Sequence, residues 1–196
     1  MLDSKARKTV QPIFEWTANF FIKRNISANQ VTLIAFVLGL VPAMLIYFEV
    51  SSIIAVAVLW ISGFLDAVDG TVARKTKTSS PFGTIMDITF DRLVEISLLL
   101  ALAFKFSENV FIFVLLACSI IVSMTIFLTV GAASDKISEK TFYYQAGLAE
   151  RTEGFIMFSL MALLPQYIDM LALVFTGLIL FTAFQRFYEA YTLFKD

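Results

Sequence analysis

The stretch from residue 66 to residue 91, DAVDGTVARKTKTSSPFGTIMDITFD, determines how the rest of the chain is interpreted. Its four aspartates, Asp66, Asp69, Asp87 and Asp91, stand inside apolar segments long enough to cross a membrane. A carboxylate at bilayer depth costs roughly 2.5–3.5 kcal/mol on insertion scales, so four of them require a partner that offsets this cost.

The spacing of these aspartates predicts that they converge. Asp66 and Asp69 are three residues apart, and Asp87 and Asp91 are four apart, so each pair lies on one helical face. The short polar link between the two segments predicts antiparallel neighbouring helices whose acidic faces meet. Because the chain has no histidine, the cluster is typical of a site for a hard cation such as Mg²⁺ or Mn²⁺.

The composition places the chain among membrane proteins. Of its 196 residues 59% are hydrophobic, which is too apolar for a soluble domain of this size. The absence of histidine excludes histidine-based acid–base catalysis, and the single cysteine, Cys118, excludes an intramolecular disulfide. The first residues have no compact apolar core followed by a small-residue cleavage site, so no signal peptide is expected.

We predict an all-α integral membrane protein with two parts. Residues 1–26 form an N-terminal segment whose residues 7–24 read as an amphipathic helix lying in the membrane interface, with Pro12 near its first turn. Residues 27–196 form a membrane domain of six transmembrane helices, at about 29–48, 51–74, 81–104, 109–133, 152–165 and 167–190. The fifth is short, so its helix must begin in the polar stretch near Glu150.

The distribution of lysine and arginine predicts the orientation. Basic residues precede the first span, lie between the second and third and between the fourth and fifth (Lys136, Lys140 and Arg151), and follow the sixth. The opposite turns contain only Lys105. The positive-inside rule therefore puts both termini and the acidic motif on the cytoplasmic side of a cell membrane.

The motif also resembles that of a known family. Residues 66–91 match the pattern D-x2-D-G-x2-A-R-x8-G-x3-D-x3-D of the CDP-alcohol phosphatidyltransferases at all eight fixed positions. The resemblance implies an enzyme that transfers a phosphatidyl group from a CDP-linked lipid, such as CDP-diacylglycerol, to a small alcohol and releases CMP. It also implies two Mg²⁺ or Mn²⁺ ions and a homodimer, with no nucleic-acid partner.

The resemblance also implies roles for individual residues. Asp66, Asp69, Asp87 and Asp91 would hold the metals, and Asp91 would also take the proton from the acceptor hydroxyl. The residues implied in contacts with the CDP-lipid are Asn29, Gln30, Val31, Thr32, Gly70, Ala73, Arg74, Ser80 and Gly83. Several of these have simpler interpretations, because Ser27 or Asn29 could cap the first span and Gly70 and Ala73 could serve helix packing. Ser80 followed by Pro81 reads as the start of a helix.

Arg151 and Arg186 are the candidate acceptor-binding residues. The stretch Glu150–Glu153 and the late arginine resemble the acceptor pocket of the inositol-phosphate-using members. Those members carry further basic residues where this chain has Gly131, Ala132, Ala133 and Gly154, so the acceptor stays open between glycerol 3-phosphate, an inositol compound, serine and another small alcohol.

Two other classes of function fit parts of the sequence. A small cation transporter would bind its ion through intramembrane carboxylates, but it would not need the glycine, alanine and arginine of the motif. An inactive scaffold could retain the fold, although the intact motif argues against it. Arg92 and Glu95 continue along the acidic segment, and we expect Arg92 to form an ion pair between helices.

Overall fold

The computed structural model describes residues 2–134, 145 and 147–195, and this part of the chain is helical without a β-strand. The helices are α1 Leu2–Lys23, α2 Ala28–Tyr47, α3 Ser52–Thr76, α4 Pro81–Lys105, α5 Val110–Ala133, α6 Arg151–Leu163 and α7 Ile168–Leu193. Short 3₁₀ turns, Ser107–Asn109 and Pro165–Tyr167, precede α5 and α7. The predicted all-α class is confirmed for the described residues. Lys136 and Lys140, which the predicted orientation uses, lie outside the described residues.

Four helical stretches in the described part are long and apolar enough to cross a membrane: Ala28–Tyr47, Ser52–Thr76, Ser107–Ala133 and Pro165–Leu193. This is the layout of a multi-pass membrane protein. The other two predicted spans correspond to α4, which is long but interrupted by charged residues, and to α6, which has only 13 residues. Six spans therefore remain a prediction.

The N-terminal unit, Asp3–Lys105, is built around α2. This helix packs closely against both α3 and α4. The backbones of α3 and α4 approach each other less closely, and these two helices meet mainly through side chains. Ser62 of α3 donates its hydroxyl to the carbonyl of Ala35 at 2.8 Å, and Phe36 of α2 stacks on Phe90 of α4 with ring centroids 4.2 Å apart. These contacts fix α3 and α4 against one common helix.

Helix α1 packs on α3. Ala18 is buried with Val68 and Val72 of α3, and the Phe14 and Phe64 rings lie 5.4 Å apart. The helix starts at Leu2 rather than near residue 7, so Pro12 lies inside it and not near its first turn. Several good helix formers precede Pro12 in the sequence. The helix therefore continues past the proline, although Pro12 removes one backbone hydrogen bond.

The C-terminal unit consists chiefly of Phe106–Asp196. Its helix α7 packs against α5 and α6, and Phe158 of α6 meets Phe175 of α7 edge to face at 5.5 Å. Asn109, before α5, hydrogen-bonds to Asp169 at the start of α7. The predicted start of a helix near Glu150 is confirmed, because Glu150 is the N-cap of α6.

Close packing at Gly39 predicts a stability difference between two alanine variants. A Cβ at position 39 would lie 2.6 Å from Val94 Cγ2 and 2.8 Å from Ser62 Oγ, whereas one at Gly177 would meet nothing within 4 Å. We expect Gly39→Ala to lower the free energy of unfolding by about 1–3 kcal/mol. Gly177→Ala, the control, should be neutral or stabilising by up to about 1 kcal/mol. Thermal unfolding in detergent measures both, and equal midpoints would contradict the packing of α2 against α3 and α4.

Candidate metal centre and its surroundings

Three of the four aspartates converge in the N-terminal unit. Asp66 and Asp69 of α3 are buried, with 8% and 7% of their surface exposed, and Asp87 of α4 is half-buried. One carboxylate oxygen from each lies within 4.8 Å of the other two. The predicted meeting of two acidic helix faces is thus found for these three residues. Asp91 follows Asp87 by one turn of α4, is half-buried and lies outside this group of three.

The turn between α3 and α4 brings these residues together. Lys77 ends α3 in the left-handed conformation, with φ of 56°, and its amide reaches back to carbonyls of the last turn. Ser80 Oγ accepts from the Gly83 amide at 3.0 Å, and Pro81 is the first residue of α4. The predicted helix start at Ser80 and Pro81 is therefore found, with Ser80 as its cap, and four residues connect the two helices.

Three predicted CDP-lipid contacts lie together beside this turn. A Cβ at Gly83 would lie 3.3 Å from Ser80 Oγ and 3.4 Å from Asn29 Oδ1. The side chain of Asn29 is exposed, and that of Ser80 is half-buried. Gly83, which has no side chain, therefore lets the start of α2 approach the start of α4. The side-chain amide of Asn29 and the hydroxyl of Ser80 both lie beside it.

The neighbours of Asn29 in α2 have partners inside the protein. Ser27 and Gln30 form a capping box, with the Gln30 side chain accepting from the Ser27 amide at 2.8 Å. Val31 is fully buried. Thr32, with 4% of its surface exposed, hydrogen-bonds to Oδ2 of Asp69. Capping by Ser27, the simpler interpretation of this stretch, is what the structure shows.

Arg74 lies along α3 over the glycine of the motif. Its Nη2 donates to Thr71 Oγ1 at 3.2 Å, and a Cβ at Gly70 would lie 3.3 Å from its Nη1. The side chain is exposed, and it reaches back along α3 from position 74 to Gly70 and Thr71, the residues that follow Asp69. Ala73, by contrast, packs against the cluster formed by α1 and α3, which supports its interpretation as a packing residue.

The expected interhelical ion pair of Arg92 is not what the structure shows. Arg92 pairs with Glu95 three residues later in the same helix. Residues three apart on a helix are neighbours on one face, so the pair forms without a second helix. Glu95 itself is buried, with 8% of its surface exposed.

Arg186 is enclosed within the C-terminal unit. Only 6% of its surface is exposed, its Nη1 donates to Ser123 Oγ at 3.3 Å, and its guanidinium carbon lies 4.8 Å from the centre of the Phe127 ring. Gln145 Nε2 donates to the Arg186 carbonyl at 3.1 Å. Contacts from α5 and from the segment before α6 therefore hold this cation in one place.

Arg151 is the first residue of α6 and is half-buried, with its guanidinium carbon 5.4 Å from the centre of the Phe155 ring. The acidic residues beside it serve the helix start. Glu150 Oε1 accepts from the Gly147 amide at 2.9 Å, and Glu153 Oε2 accepts from the Glu150 amide at 3.3 Å. The Glu-Arg-x-Glu stretch thus contains a reciprocal cap with one arginine between its two members.

Sequence reasoning missed several residues around Arg186. A signal existed for Thr182, which lies one turn before Arg186 on the same face of α7, and for Ser123, a hydroxyl in a strongly apolar helix. Gln145 and Gly147 gave no such signal, because they reach α7 through tertiary contacts of a non-helical segment.

Comparison with known proteins adds three findings. The sequence model of the family described as CDP-alcohol phosphatidyltransferase matches residues 25–185. The chain is 36% identical to archaetidylinositol phosphate synthase of Pyrococcus horikoshii over 100 residues, which is 51% of this chain and 53% of that protein. That match thus spans about half of the synthase. Inner membrane protein YnjF of Escherichia coli is 26% identical over 100% of this chain and 98% of its own length.

The fold is similar to that of a solved structure. The crystal structure of Mycobacterium tuberculosis phosphatidylinositol phosphate synthase (PgsA1) with CDP-DAG bound has a TM-score of 0.76 and 17% identity, covering 92% of this chain and 94% of that one. A second structure of that protein, in complex with manganese and citrate, has a TM-score of 0.75 over 91% of this chain. At this identity the likeness concerns the fold.

The tight approach at Gly147 predicts a clash that a second substitution relieves. A Cβ at position 147 would lie 2.2 Å from Thr182 Cγ2. We therefore expect Gly147→Ala to displace the segment before α6 and to lower stability by about 1–3 kcal/mol. Thr182→Ser removes that methyl group but keeps the hydroxyl that accepts from the Ala149 amide at 2.8 Å. Thermal unfolding of the double variant should recover most of the loss, and no recovery would contradict this contact.

Proposed function

The chain belongs to the CDP-alcohol phosphatidyltransferase family, and from this premise we propose that it transfers a phosphatidyl or related lipid phosphate group. The donor is a CDP-linked lipid, the acceptor is a small alcohol, and CMP is released. The observation that carries the proposal is the convergence of Asp66, Asp69 and Asp87 within 4.8 Å, with the first two on a helix long and apolar enough to cross a membrane.

The carboxylate cluster fits a divalent metal. Two of its three members are nearly inaccessible to water, and like charges held this close disfavour one another unless a cation is present. All the donor atoms are oxygens, which suits Mg²⁺ or Mn²⁺. The manganese reported for the Mycobacterium tuberculosis synthase supports the same assignment here. We propose two ions, held by Asp66, Asp69 and Asp87 with Asp91 beside them.

Bound divalent ions would supply charge neutralisation at the pyrophosphate oxygens of the donor. Residues of the chain would bind the diphosphate and the cytidine nucleotide of the donor. Arg74 binds the diphosphate, and Gly70 leaves room for that guanidinium to lie along α3. Asn29, Ser80 and Gly83 contact the cytidine nucleotide, and the side chain of Asn29 is exposed.

Asp91 is the proposed general base. It is half-buried and lies outside the group of three converging carboxylates, so it is less committed to metal than Asp87. The acceptor hydroxyl oxygen attacks the β-phosphorus while its proton passes to Asp91. The bond from that phosphorus to CMP breaks, and CMP leaves with the bonding electrons.

The acceptor is proposed to bind at Arg151 and Arg186 in the C-terminal unit. Arg186 is buried among Ser123, Phe127 and Gly147, and such an enclosed cation suits an acceptor that carries a phosphate. Glycerol 3-phosphate and an inositol phosphate both meet this requirement. The partial match to archaetidylinositol phosphate synthase supports the second. The absence of basic residues at positions 131–133 and 154 argues against it, so both acceptors belong to the proposal.

The proposed membrane arrangement has six spans with the acidic motif facing the cytoplasm. Helix α4 has 25 residues, about 37 Å at roughly 1.5 Å per residue, and can cross if its acidic face points inward. Helix α6 alone reaches only about 20 Å, so its flanks must complete the fifth span. We also propose that α1 lies in the interface and that the enzyme is a homodimer in the cell membrane.

The aspartate variants test the metal assignment and the general base. We expect Asp66→Asn, Asp69→Asn and Asp87→Asn to abolish Mg²⁺-dependent CMP release from a CDP-lipid with little loss of folding. Asp91→Asn should lower kcat more than it weakens CDP-lipid binding, because proton removal matters in the transition state. The measurement is CMP release with a direct CDP-lipid binding assay. Near-normal turnover in the first three variants would contradict the metal assignment.

The arginine variants test the acceptor site. Arg186→Ala and Arg151→Ala should raise the apparent KM for the acceptor and leave CDP-lipid binding near that of the wild type. For a phosphorylated acceptor the loss should be on the order of 2–5 kcal/mol, because a buried anionic group loses its partner. An acceptor panel with labelled CDP-lipid identifies the alcohol first. Loss of donor affinity in both variants would show that the acceptor site is wrongly placed.

Labelling of single cysteines tests the orientation. In a Cys118→Ser background, Lys77→Cys should react with an impermeant maleimide only from the cytoplasmic side of oriented vesicles, and Ser107→Cys only from the other side. The reason is that cationic turns stay on the cytoplasmic side. Reaction of Lys77→Cys from outside would reverse the proposed orientation.

A further inference from the structure

We propose that Thr32 is a positioning residue that orients the Asp69 carboxylate for the metal centre, and this inference rests on the proposed function. The hydroxyl of Thr32, on α2, hydrogen-bonds to Oδ2 of Asp69, on α3. The hydroxyl oxygen of Thr32 also lies 3.0 Å from the carbonyl oxygen of Ala28. The resemblance to the family suggested a nucleotide contact for Thr32, which is a different role.

The hydroxyl has one proton and two acceptors to choose from. Threonines in helices commonly donate to the carbonyl four residues earlier, as Thr125 and Thr176 do in this chain. At Thr32 the competing acceptor is a carboxylate, and a hydrogen bond to an ionised group is roughly twice as strong as one to a neutral group. The proton is therefore assigned to Asp69.

Burial makes this contact strong and rigid. Thr32 and Asp69 have 4% and 7% of their surface exposed, so water competes little for either group. The β-branched side chain of Thr32 has few rotamers. The Ser62 hydrogen bond to the Ala35 carbonyl, one turn along α2, fixes the two helices against each other. The orientation of the carboxylate is thus set by the packing of α2 on α3.

The contact leaves Asp69 able to hold a cation. A carboxylate has two oxygens and about four lone-pair directions, and the hydroxyl occupies one of them. Hydrogen bonds of this kind fix the plane of a ligating carboxylate, and their loss typically lowers metal affinity about 10–100-fold. If Thr32 instead contacted the nucleotide, its hydroxyl would matter only when the CDP-lipid is present. Its removal would then leave the Mn²⁺ affinity of the lipid-free protein unchanged.

Mn²⁺ binding to the detergent-solubilised full chain without lipid, followed by electron paramagnetic resonance, tests the role. We expect Thr32→Val and Thr32→Ala to raise the Mn²⁺ Kd about 10–100-fold. Thr32→Ser, which keeps the hydroxyl, should stay within about threefold of the wild type. Thr176→Val, which removes a hydroxyl bonded only within α7 in the described contacts, is the matched control and should not change the Kd.

Two further comparisons make the outcome decisive. In an Asp69→Asn background, Thr32→Ala should add little to the loss of Mn²⁺ affinity, because the two residues act as a pair. If Thr32→Val fails to fold, the comparison of serine with alanine at position 32 still isolates one hydroxyl. Equal Mn²⁺ affinity in those two variants, with weakened CDP-lipid binding, would overturn the proposal and make Thr32 a nucleotide contact. A wild-type protein that binds no Mn²⁺ would instead overturn the metal centre itself.

Discussion

The placing of several carboxylates inside apolar helices is the constraint on which the rest of the structure depends. Asp66, Asp69 and Asp87 bring their oxygens within 4.8 Å of one another, where their charges repel. A soluble protein would leave such groups in water, but Asp66 and Asp69 lie on a helix long and apolar enough to cross a membrane, where a carboxylate costs free energy. A bound cation would offset both the repulsion and the cost of burial, which is the physical reason for the proposed metal centre.

The architecture of the N-terminal unit follows from this constraint. Helix α2 carries the close packing, at Gly39 and through the Ser62 hydrogen bond, so α3 and α4 are held mainly by a third helix. Their acidic faces can therefore meet through side chains. The same helix supplies Thr32, whose hydroxyl reaches one of the acids. The packing contact at Ala35 and the contact of Thr32 with the acid therefore lie about one turn apart on the same helix.

Much of the fold and part of the site could be predicted from the sequence, because local signals specify them. Apolar runs gave the positions of α2, α3, α5 and α7, and the serine–proline start of α4 is a local cap. The aspartate spacing predicted that four carboxylates converge, and three of them lie within 4.8 Å of one another. The expected interhelical ion pair of Arg92 is wrong, because Glu95 of the same helix offers a nearer partner. The contact of Thr32 with Asp69 and the approach of Gly147 to α7 were not predicted, because both depend on tertiary packing.

The central claim is that the carboxylates of α3 and α4 hold divalent metal. Anomalous diffraction from crystals of the protein grown with Mn²⁺ and a CDP-lipid tests it most directly. The account predicts two anomalous peaks beside Asp66, Asp69, Asp87 and Asp91, at roughly 2.0–2.6 Å from carboxylate oxygens as hard cations require. Well-diffracting crystals with no peak among these residues, or with peaks only elsewhere on the protein, would contradict it.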